Sequence, residues 1–350
     1  MNAQIQITNP AVSPTCRVNP PAAESNRPLL MRLTGDLPLH CGVRLEGLEI
    51  GYQLNGNANG PLCVLLGGIS AHSNAISCIA DDDPGWWDSV MGPTALDIAS
   101  HWQVLSLDWL GGNGATTGPG NWGGTPEDFP PVDVRDQAGL LSRLLLELDI
   151  PQIDSLISAS YGGMVAMRFA ADYPQQVRRV LVAGASHRPD PMARARRLLQ
   201  RQVIGLAETP DQLNRALATA RALAITTYRS PAEFASRFAG QVGAASLASY
   251  LRYHGKRFAD SFCPIAFLRL SESIDQHALD PKTIAAPVEF VSFKGDQVCP
   301  PGLIRELFEQ TPTASKLHEL ETLYGHDAFL ADSAVMQPVV SEFLAKEGGS

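Results

Sequence analysis

Short apolar runs recur along the 350-residue chain and constrain its fold more than any other feature. Five of them have the length of buried strands: Leu62–Leu66, Gln103–Leu107, Ile153–Ile157, Val180–Ala183 and Val288–Phe293. Strands that are apolar throughout are typical of parallel sheets with both faces covered by helices. Leucines at helical spacing over Val134–Leu148, and small apolar residues over Gly162–Asp172, predict such helices. We therefore predict an α/β fold with a mostly parallel sheet and helices on both faces.

The stretch between Pro189 and Asp280 interrupts this alternation of strands and helices. It is rich in Ala, Leu and Arg, and its pattern predicts four helices: Met192–Leu206, Pro210–Ala224, Pro231–Phe238 and Ala245–Tyr253. A helical insertion between two strands is the usual position of a cap over an α/β active site. We therefore expect a flexible N-terminal arm (1–30), a core in two parts (31–188 and 281–350) and a helical cap (189–280) between them.

Composition excludes several classes of partner. The formal net charge of -9 gives no reason to expect binding to nucleic acid or to an anionic membrane surface. No stretch approaches the roughly 18 apolar residues that a membrane span needs, and the N-terminus lacks the apolar core of a secretory signal. The six cysteines are scattered without a CxxC pair, which favours reduced thiols in a cytoplasmic protein and predicts no metal site.

The segment SASYGG, which follows the third apolar run, has the context of a nucleophile elbow. In this sharp turn between a strand and a helix, an exposed serine is flanked two positions away by small residues. Ser160 is that serine, and Ser158 and Gly162 are the flanking residues. Glycine usually fills both flanking positions, so Ser158 departs from the common pattern while keeping the small size. The elbow predicts the α/β-hydrolase fold.

Two further residues complete a candidate catalytic triad with Ser160. Asp296 follows the last apolar run, and His326 comes later in the chain, so the order is Ser, Asp, His, as this fold requires. A serine hydroxyl is a weak nucleophile, so His326 would take its proton and Asp296 would orient the imidazole. Taken singly, Asp296 could be a turn residue and His326 a loop histidine. Asp275 and Asp280 are weaker candidates for the acid because they fall within the helical insertion.

Two backbone N–H groups are expected to form the oxyanion hole. One belongs to Tyr161, the residue after the nucleophile. The other should come from the glycine-containing loop after Leu62–Leu66, where we choose Ile69, with Gly68 as the next candidate.

Several segments between about residue 85 and residue 330 resemble the homoserine O-acyltransferases of methionine biosynthesis. They are GWW with GP (85–87, 92–93), LGGNG with TGP (110–114, 117–119), SYGGM (160–164), QRQ (200–202), TYRS (227–230), YLRY (250–253) and YGHDAFL (324–330). The resemblance implies a ping-pong reaction in which the acyl group of acyl-CoA passes to Ser160 and then to the hydroxyl of L-homoserine. Acyl-CoA would be a co-substrate, with no bound cofactor and no metal.

The same resemblance assigns two residues to the amino-acid substrate. Arg229 would bind its carboxylate and Asp327 its ammonium group, and a guanidinium can hold a carboxylate with two charge-assisted bonds. Arg229 could instead be a solvated residue on a cap helix, and Asp327 a loop carboxylate that only helps to orient the local backbone.

Family members use acetyl or succinyl donors, and the resemblance favours succinyl here. Arg269 is a candidate for the succinyl carboxylate, although it could also be a surface arginine with a buried stem. We also expect a homodimer, for which the predicted helix Met192–Leu206 could supply a surface.

Rival functions share the triad. Serine could replace homoserine as the acceptor, acetyl could replace succinyl, and an ester or thioester hydrolase would let water resolve the acyl-enzyme. A catalytically silent binding module is a third class, which the intact triad disfavours. An amino-acid clamp at Arg229 and Asp327 would separate a transferase from a plain esterase.

Overall fold

A mostly parallel eight-stranded sheet lies at the centre of the computed structural model, which describes residues 28–77 and 84–346. The strands in chain order are β1 (Leu29–Arg32), β2 (Leu37–Pro38), β3 (Arg44–Leu45), β4 (Glu49–Gly56), β5 (Leu62–Leu66), β6 (Gln103–Leu107), β7 (Ser155–Ala159), β8 (Val180–Ala183), β9 (Val288–Phe293) and β10 (Ala314–Leu320). The order across the sheet is β1-β4-β6-β5-β7-β8-β9-β10, and β2 and β3 pair separately. Pairings that involve β4 are antiparallel and the remaining pairings of the large sheet are parallel.

The predicted buried strands are confirmed, with one shift in position. β5, β6, β8 and β9 have the predicted bounds, whereas β7 begins at Ser155 and not at Ile153. Ile153 makes only an isolated bridge to Val177, since the chain has not yet entered the sheet there.

Helices cover both faces of the sheet. In chain order they are α1 (Asp88–Met91), α2 (Val134–Glu147), α3 (Tyr161–Asp172), α4 (Pro191–Gly205), α5 (Pro210–Tyr228), α6 (Pro231–Arg237), α7 (Gly240–Ala259), α8 (Pro264–Gln276), α9 (Pro301–Gln310), α10 (Ala328–Ala331) and α11 (Ser333–Ala345). Successive strand residues point to opposite faces. Val64 and Leu66 accordingly join the apolar cluster that contains α2 and α3, whereas Cys63 and Leu65 join the one that contains α1 and α11.

Helices α4 to α8 occupy the region between β8 and β9. Helices α4, α5, α7 and α8 share a third apolar cluster, which includes Ile204, Leu213, Leu217 and Phe267. The sequence pattern did not delimit α8, and α7 is longer at both ends than predicted. The division into arm, core and cap remains a prediction, and residues 1–27 of the predicted arm lie outside the described residues.

The cysteines depart in part from the prediction of reduced thiols. Cys41 and Cys299 are free thiols, but Cys263 is disulfide-bonded, so the prediction is wrong for Cys263. The pairing depends on which cysteines the fold brings within bonding distance, and sequence spacing does not show this in a chain of this size.

Candidate active site

The turn between β7 and α3 holds Ser160 in a conformation that residues with side chains rarely adopt. Its backbone angles are φ 54° and ψ -121°, a region that typically costs 1–3 kcal/mol and recurs at active sites. Gly162 makes the turn possible, because a Cβ at that position would lie 2.4 Å from the carbonyl oxygen of Leu66. The local geometry is therefore that of a nucleophile elbow.

Ser158 fits this turn although glycine is the more common residue at its position. Its side chain is fully buried, and the hydroxyl donates to the carbonyl oxygen of Leu181 on the neighbouring strand at 2.8 Å. The extra oxygen is thus hydrogen-bonded, which a buried polar group requires.

The three predicted triad residues lie in one hydrogen-bonded chain. Ser160 Oγ is 2.8 Å from His326 Nε2, and His326 Nδ1 is 2.7 Å from Asp296 Oδ2. The other oxygen of Asp296, Oδ1, accepts the backbone N–H groups of Val298 at 2.7 Å and Cys299 at 2.9 Å. Both carboxylate oxygens are therefore held in place, which fixes the orientation of the imidazole.

The charge environment favours His326 as a proton acceptor. Burial opposes the charged imidazolium, but the adjacent Asp296 carboxylate outweighs burial, and with a smaller contribution from Asp327 it raises the pKa of His326 above its usual value. A raised pKa makes the imidazole a stronger base toward the Ser160 hydroxyl.

Three residues to which the sequence assigned no role surround the His326 ring. Tyr228 and Phe329 have ring centroids 6.0 Å and 5.9 Å away. Gly184 has a positive φ of 58°, and a Cβ there would lie 3.5 Å from His326 Cε1. Gly184 directly follows β8, where sequence alone could have marked it as a turn residue but not as a neighbour of the base.

The predicted oxyanion residues both line the cavity at Ser160. In the part of the chain that the structure describes, neither the N–H of Ile69 nor that of Tyr161 has a protein acceptor. Such groups can donate to an oxyanion that forms above Ser160. Gly68, the other candidate, lies so near that a Cβ on it would be 4.0 Å from Ser160 Cβ.

The cavity above Ser160 has a volume of about 130 Å³. Its walls come from the loop after β5, from α3 and from helices α4, α5 and α8. Arginines contribute much of the charge on these walls: Arg188, Arg196, Arg197 and Arg221. The site can therefore combine a serine nucleophile with recognition of an anionic group.

Comparison with known proteins agrees with this geometry. The family model described as alpha/beta hydrolase fold matches residues 61–332. The chain is 32% identical to the homoserine O-succinyltransferase of Xanthomonas campestris, over 94% of this chain and 88% of that protein. It is 30% identical to the homoserine O-acetyltransferase of Chlorobium chlorochromatii, over 87% and 92%. The crystal structure of homoserine O-acetyltransferase from Staphylococcus aureus matches with a TM-score of 0.81 at 23% identity, over 92% and 96%.

The chain belongs to the homoserine O-acyltransferase family of the α/β-hydrolase fold. The predicted fold class is confirmed, and the chain is an enzyme of the acyltransferase class. Within the residues that the structure describes, no helix is long and apolar enough to cross a membrane.

The two residues that the family resemblance assigned to the amino acid contact each other. Arg229 Nε lies 2.9 Å from Asp327 Oδ2, and its N–H is not aimed at an acceptor, so the contact is an ion pair without an aligned hydrogen bond. Arg229 also lies 3.5 Å from Glu233. Asp327 lines the cavity, whereas Arg229 is not among the lining residues. The sequence placed the substrate between two separated charges, but here those charges form an ion pair with each other.

Arg269 does not reach the cavity. Its guanidinium donates to the carbonyl oxygens of Phe129 at 2.7 Å and Glu127 at 2.9 Å, and it lies 3.6 Å from Glu272. These contacts fix the loop before α2, so the assignment of Arg269 to an acyl-donor carboxylate is corrected. Helical phase decides which way the side chain points, and the sequence had no marker for it.

Arg197 on α4 is a cavity residue that the sequence analysis missed. Its Nε lies 2.7 Å from Asp275 Oδ1, whereas its Nη2 is buried and has no hydrogen-bond partner among the described residues. Asp275 is also 2.7 Å from Arg201. One carboxylate therefore faces two guanidinium groups, and of these two arginines Arg197 lines the cavity.

Proposed function

We propose that this chain transfers an acyl group from acyl-CoA to the hydroxyl of L-homoserine, through an acyl-serine at Ser160, in methionine biosynthesis. The observation that carries the proposal is the hydrogen-bonded chain from Ser160 through His326 to Asp296. Family membership supplies the class of reaction, and the residues around the Ser160–His326–Asp296 triad carry out its steps.

In the first half-reaction, His326 Nε2 takes the proton of Ser160 as Oγ attacks the thioester carbonyl. The resulting oxyanion accepts the N–H groups of Ile69 and Tyr161. The intermediate collapses by breaking the carbon–sulfur bond, and His326 returns the proton to the departing thiolate of CoA. The product is an ester on Ser160.

In the second half-reaction, the homoserine hydroxyl gives its proton to His326 and its oxygen attacks the ester carbonyl. The second tetrahedral intermediate uses the same two N–H groups. Its collapse breaks the bond to Ser160 Oγ, which recovers the proton from His326. Atoms and charges balance without any metal or redox step.

We propose that the amino acid binds by exchanging partners with the Arg229–Asp327 ion pair. The homoserine ammonium would pair with Asp327, the residue next to the base, and its carboxylate would pair with Arg229. A zwitterion supplies one charge for each member of the pair, so neither charge is left buried and unpaired when it binds.

We favour succinyl over acetyl as the acyl group. Arg197 lines the cavity, and its buried Nη2 is a cationic donor without a partner among the described residues. A free carboxylate is the ligand that would satisfy it. An acetyl group offers no charge to this position. Arg197 therefore takes the role for which Arg269 was first considered.

The Arg229–Asp327 contact also favours a second candidate, an ester or thioester hydrolase. If the ion pair stays closed, no amino acid can bind between the two charges, and water would resolve the acyl-enzyme.

One experiment separates these functions. CoA release is measured from succinyl-CoA and from acetyl-CoA, each with and without L-homoserine or L-serine, and the acyl amino acid is detected by mass spectrometry. The proposal predicts release that depends on homoserine and is faster with succinyl-CoA. Release at the same rate without any amino acid would support the hydrolase, and full activity in Ser160→Ala would refute the acyl-serine route.

We also propose a homodimer through α4. Met192 and Leu199 on α4 and Leu206 directly after its end follow each other at intervals of seven residues and are 60%, 56% and 79% exposed. An apolar row at this spacing lies along one side of a helix. Sedimentation velocity should give a dimer for the wild type and a monomer for Leu199→Glu, and a wild-type monomer would refute this assembly.

A further inference from the structure

Two aromatic side chains join the two halves of the oxyanion site. The rings of Trp109 and Tyr161 meet edge to face, with centroids 5.1 Å apart and an interplanar angle of 77°. Both side chains are buried. Trp109 lies just after β6, whereas Tyr161 begins α3, so the contact connects two strand ends at the carboxyl edge of the sheet.

Trp109 also holds the loop that carries the other oxyanion donor. Its indole Nε1–H donates to the carbonyl oxygen of Gly68 at 2.9 Å. That oxygen belongs to the same peptide unit as the N–H of Ile69. In a trans peptide the C=O and the following N–H point in opposite directions within one plane. A bond that fixes the oxygen therefore fixes the direction of the Ile69 N–H.

The Gly68 carbonyl oxygen would be hydrogen-bonded even without Trp109. It also accepts the N–H of Ala71 at 3.0 Å, within the same loop. The indole bond is thus an additional long-range constraint, which connects the loop to a separate part of the fold. Its effect is to orient the peptide.

The other end of this loop is held from the residue next to Trp109. Asp108 Oδ1 accepts the N–H of Ser73 at 2.6 Å, and its Oδ2 accepts the N–H of Ala115 at 2.7 Å. The pair Asp108-Trp109 therefore fixes the loop at both Gly68 and Ser73.

Tyr161 supplies the rigid surface against which the indole packs. Its hydroxyl lies 2.8 Å from Ser273 Oγ on α8, and both residues are fully buried. Tyr161 is thus anchored through its side chain, while its backbone N–H has no acceptor among the described residues. One connected set of contacts, from Ser273 through Tyr161 and Trp109 to Gly68, reaches both proposed oxyanion donors.

We propose that Trp109 is a positioning residue for acyl transfer, which aims the Ile69 N–H at the oxyanion through its bond to the Gly68 carbonyl. This inference rests on the proposed acyl-serine route. Trp109 touches neither the acyl group nor the base, so its effect should fall on the tetrahedral intermediate and not on binding of the ground state.

The test uses Trp109→Phe, which keeps an aromatic ring beside Tyr161 and removes the N–H donor. Acyl-enzyme formation is followed by the burst of 4-nitrophenolate from 4-nitrophenyl acetate, and the transition-state fit by inhibition with butylboronic acid. Removing an oxyanion donor altogether costs about 10²–10³-fold. An oxyanion donor that is present but misaligned should lower the burst rate and the affinity for the boronic acid by about tenfold each. The KM for the ester should be unchanged.

Trp122→Phe is the matched control. Trp122 also donates its indole N–H to a backbone carbonyl, that of Thr125 at 3.1 Å, and meets an aromatic ring edge to face, but it does not line the cavity. Its burst rate and boronate affinity should equal those of the wild type. A thermal melt of each variant checks folding.

Unchanged burst rate and boronate affinity in Trp109→Phe would overturn the inference, as would a raised KM with an unchanged burst. If Trp109→Phe does not fold, Ser273→Ala is tested instead, because it removes the hydrogen-bond partner of the Tyr161 hydroxyl. This variant should lower the burst rate about threefold, a smaller loss than that of a missing donor. An unchanged burst rate in Ser273→Ala would also overturn the inference. A wild-type steady-state rate after the burst that homoserine does not accelerate would refute the proposed acceptor alone.

Discussion

Arg229 Nε and Asp327 Oδ2 lie 2.9 Å apart, and Asp327 directly follows the base His326. The side chains of both are about one-fifth exposed, so the pair is neither a free surface contact nor a sealed interior one. Breaking it without a replacement would leave two poorly solvated charges. A ligand that carries both signs at the right spacing is the kind of molecule that can enter at low cost.

Asp327→Asn is expected to weaken amino-acid binding and to spare the first half-reaction. A hydrogen bond to a charged group contributes about 1.5–3 kcal/mol, so KM for homoserine should rise roughly 10- to 100-fold. The burst of acyl-enzyme formation should stay within about threefold, a change below that of one such bond. Steady-state and burst kinetics measure the two effects. An unchanged KM for homoserine would show that the ammonium binds elsewhere.

The pH profile of acyl-enzyme formation should reflect the raised pKa of His326. The base must be neutral to accept a proton, so activity rises with pH as the imidazolium loses its proton. Because Asp296 raises that pKa, the wild-type inflection should lie above the usual value of about 6.5. Asp296→Asn should move the inflection to lower pH and reduce kcat by about 10⁴-fold. An inflection that stays in place would separate Asp296 from the base.

Much of the fold and the triad could be predicted from the sequence, because both depend on patterns of neighbouring residues along the chain. The strands β5, β6, β8 and β9 are apolar along their length, and Ser160, Asp296 and His326 each follow a strand, where parallel sheets place their functional residues.

The sequence could not predict features that depend on how side chains of distant elements are oriented toward one another. Arg197 and Arg269 are both arginines on helices, and only tertiary packing turns one to the cavity and the other to the Glu127–Phe129 carbonyls. The ion pair of Arg229 with Asp327 joins residues nearly a hundred positions apart. Neither arrangement leaves a mark in residue spacing.

Arg197→Gln should alter the choice of acyl donor. Loss of the cationic donor should lower kcat/KM for succinyl-CoA roughly 10- to 100-fold relative to acetyl-CoA, as expected for one bond to a carboxylate. Acetyl-CoA in the same variant is the internal control. Asp275 keeps Arg201 as an ion-pair partner, so the substitution does not leave this carboxylate unpaired. Arg194→Gln, an exposed change on the same helix, should leave the ratio of the two donors unaltered. Equal losses with both donors would remove Arg197 from donor selection.

His277 should make the stability of the enzyme depend on pH. It is buried, its Nε2 has no hydrogen-bond partner within the part of the chain that the structure describes, and burial lowers its pKa to about 4. In the unfolded chain the value is about 6.5, so between these values the unfolded state binds more protons. His277 therefore costs the folded state no stability above pH 6.5, and the free energy of unfolding decreases as the pH falls toward 4. The loss at pH 5 should be about 2 kcal/mol.

His277→Gln should remove this dependence, because glutamine does not titrate. Urea unfolding at pH 8 and pH 5 measures it in the wild type, in His277→Gln and in His101→Gln, which changes an exposed histidine as a control. The wild type and His101→Gln should lose similar stability between the two pH values, and His277→Gln should lose about 2 kcal/mol less. Since the variant also loses a buried ring, its stability at pH 8 should be lower than that of the wild type, so the difference between pH values decides the outcome. The same loss in all three proteins would assign the pH dependence to other groups.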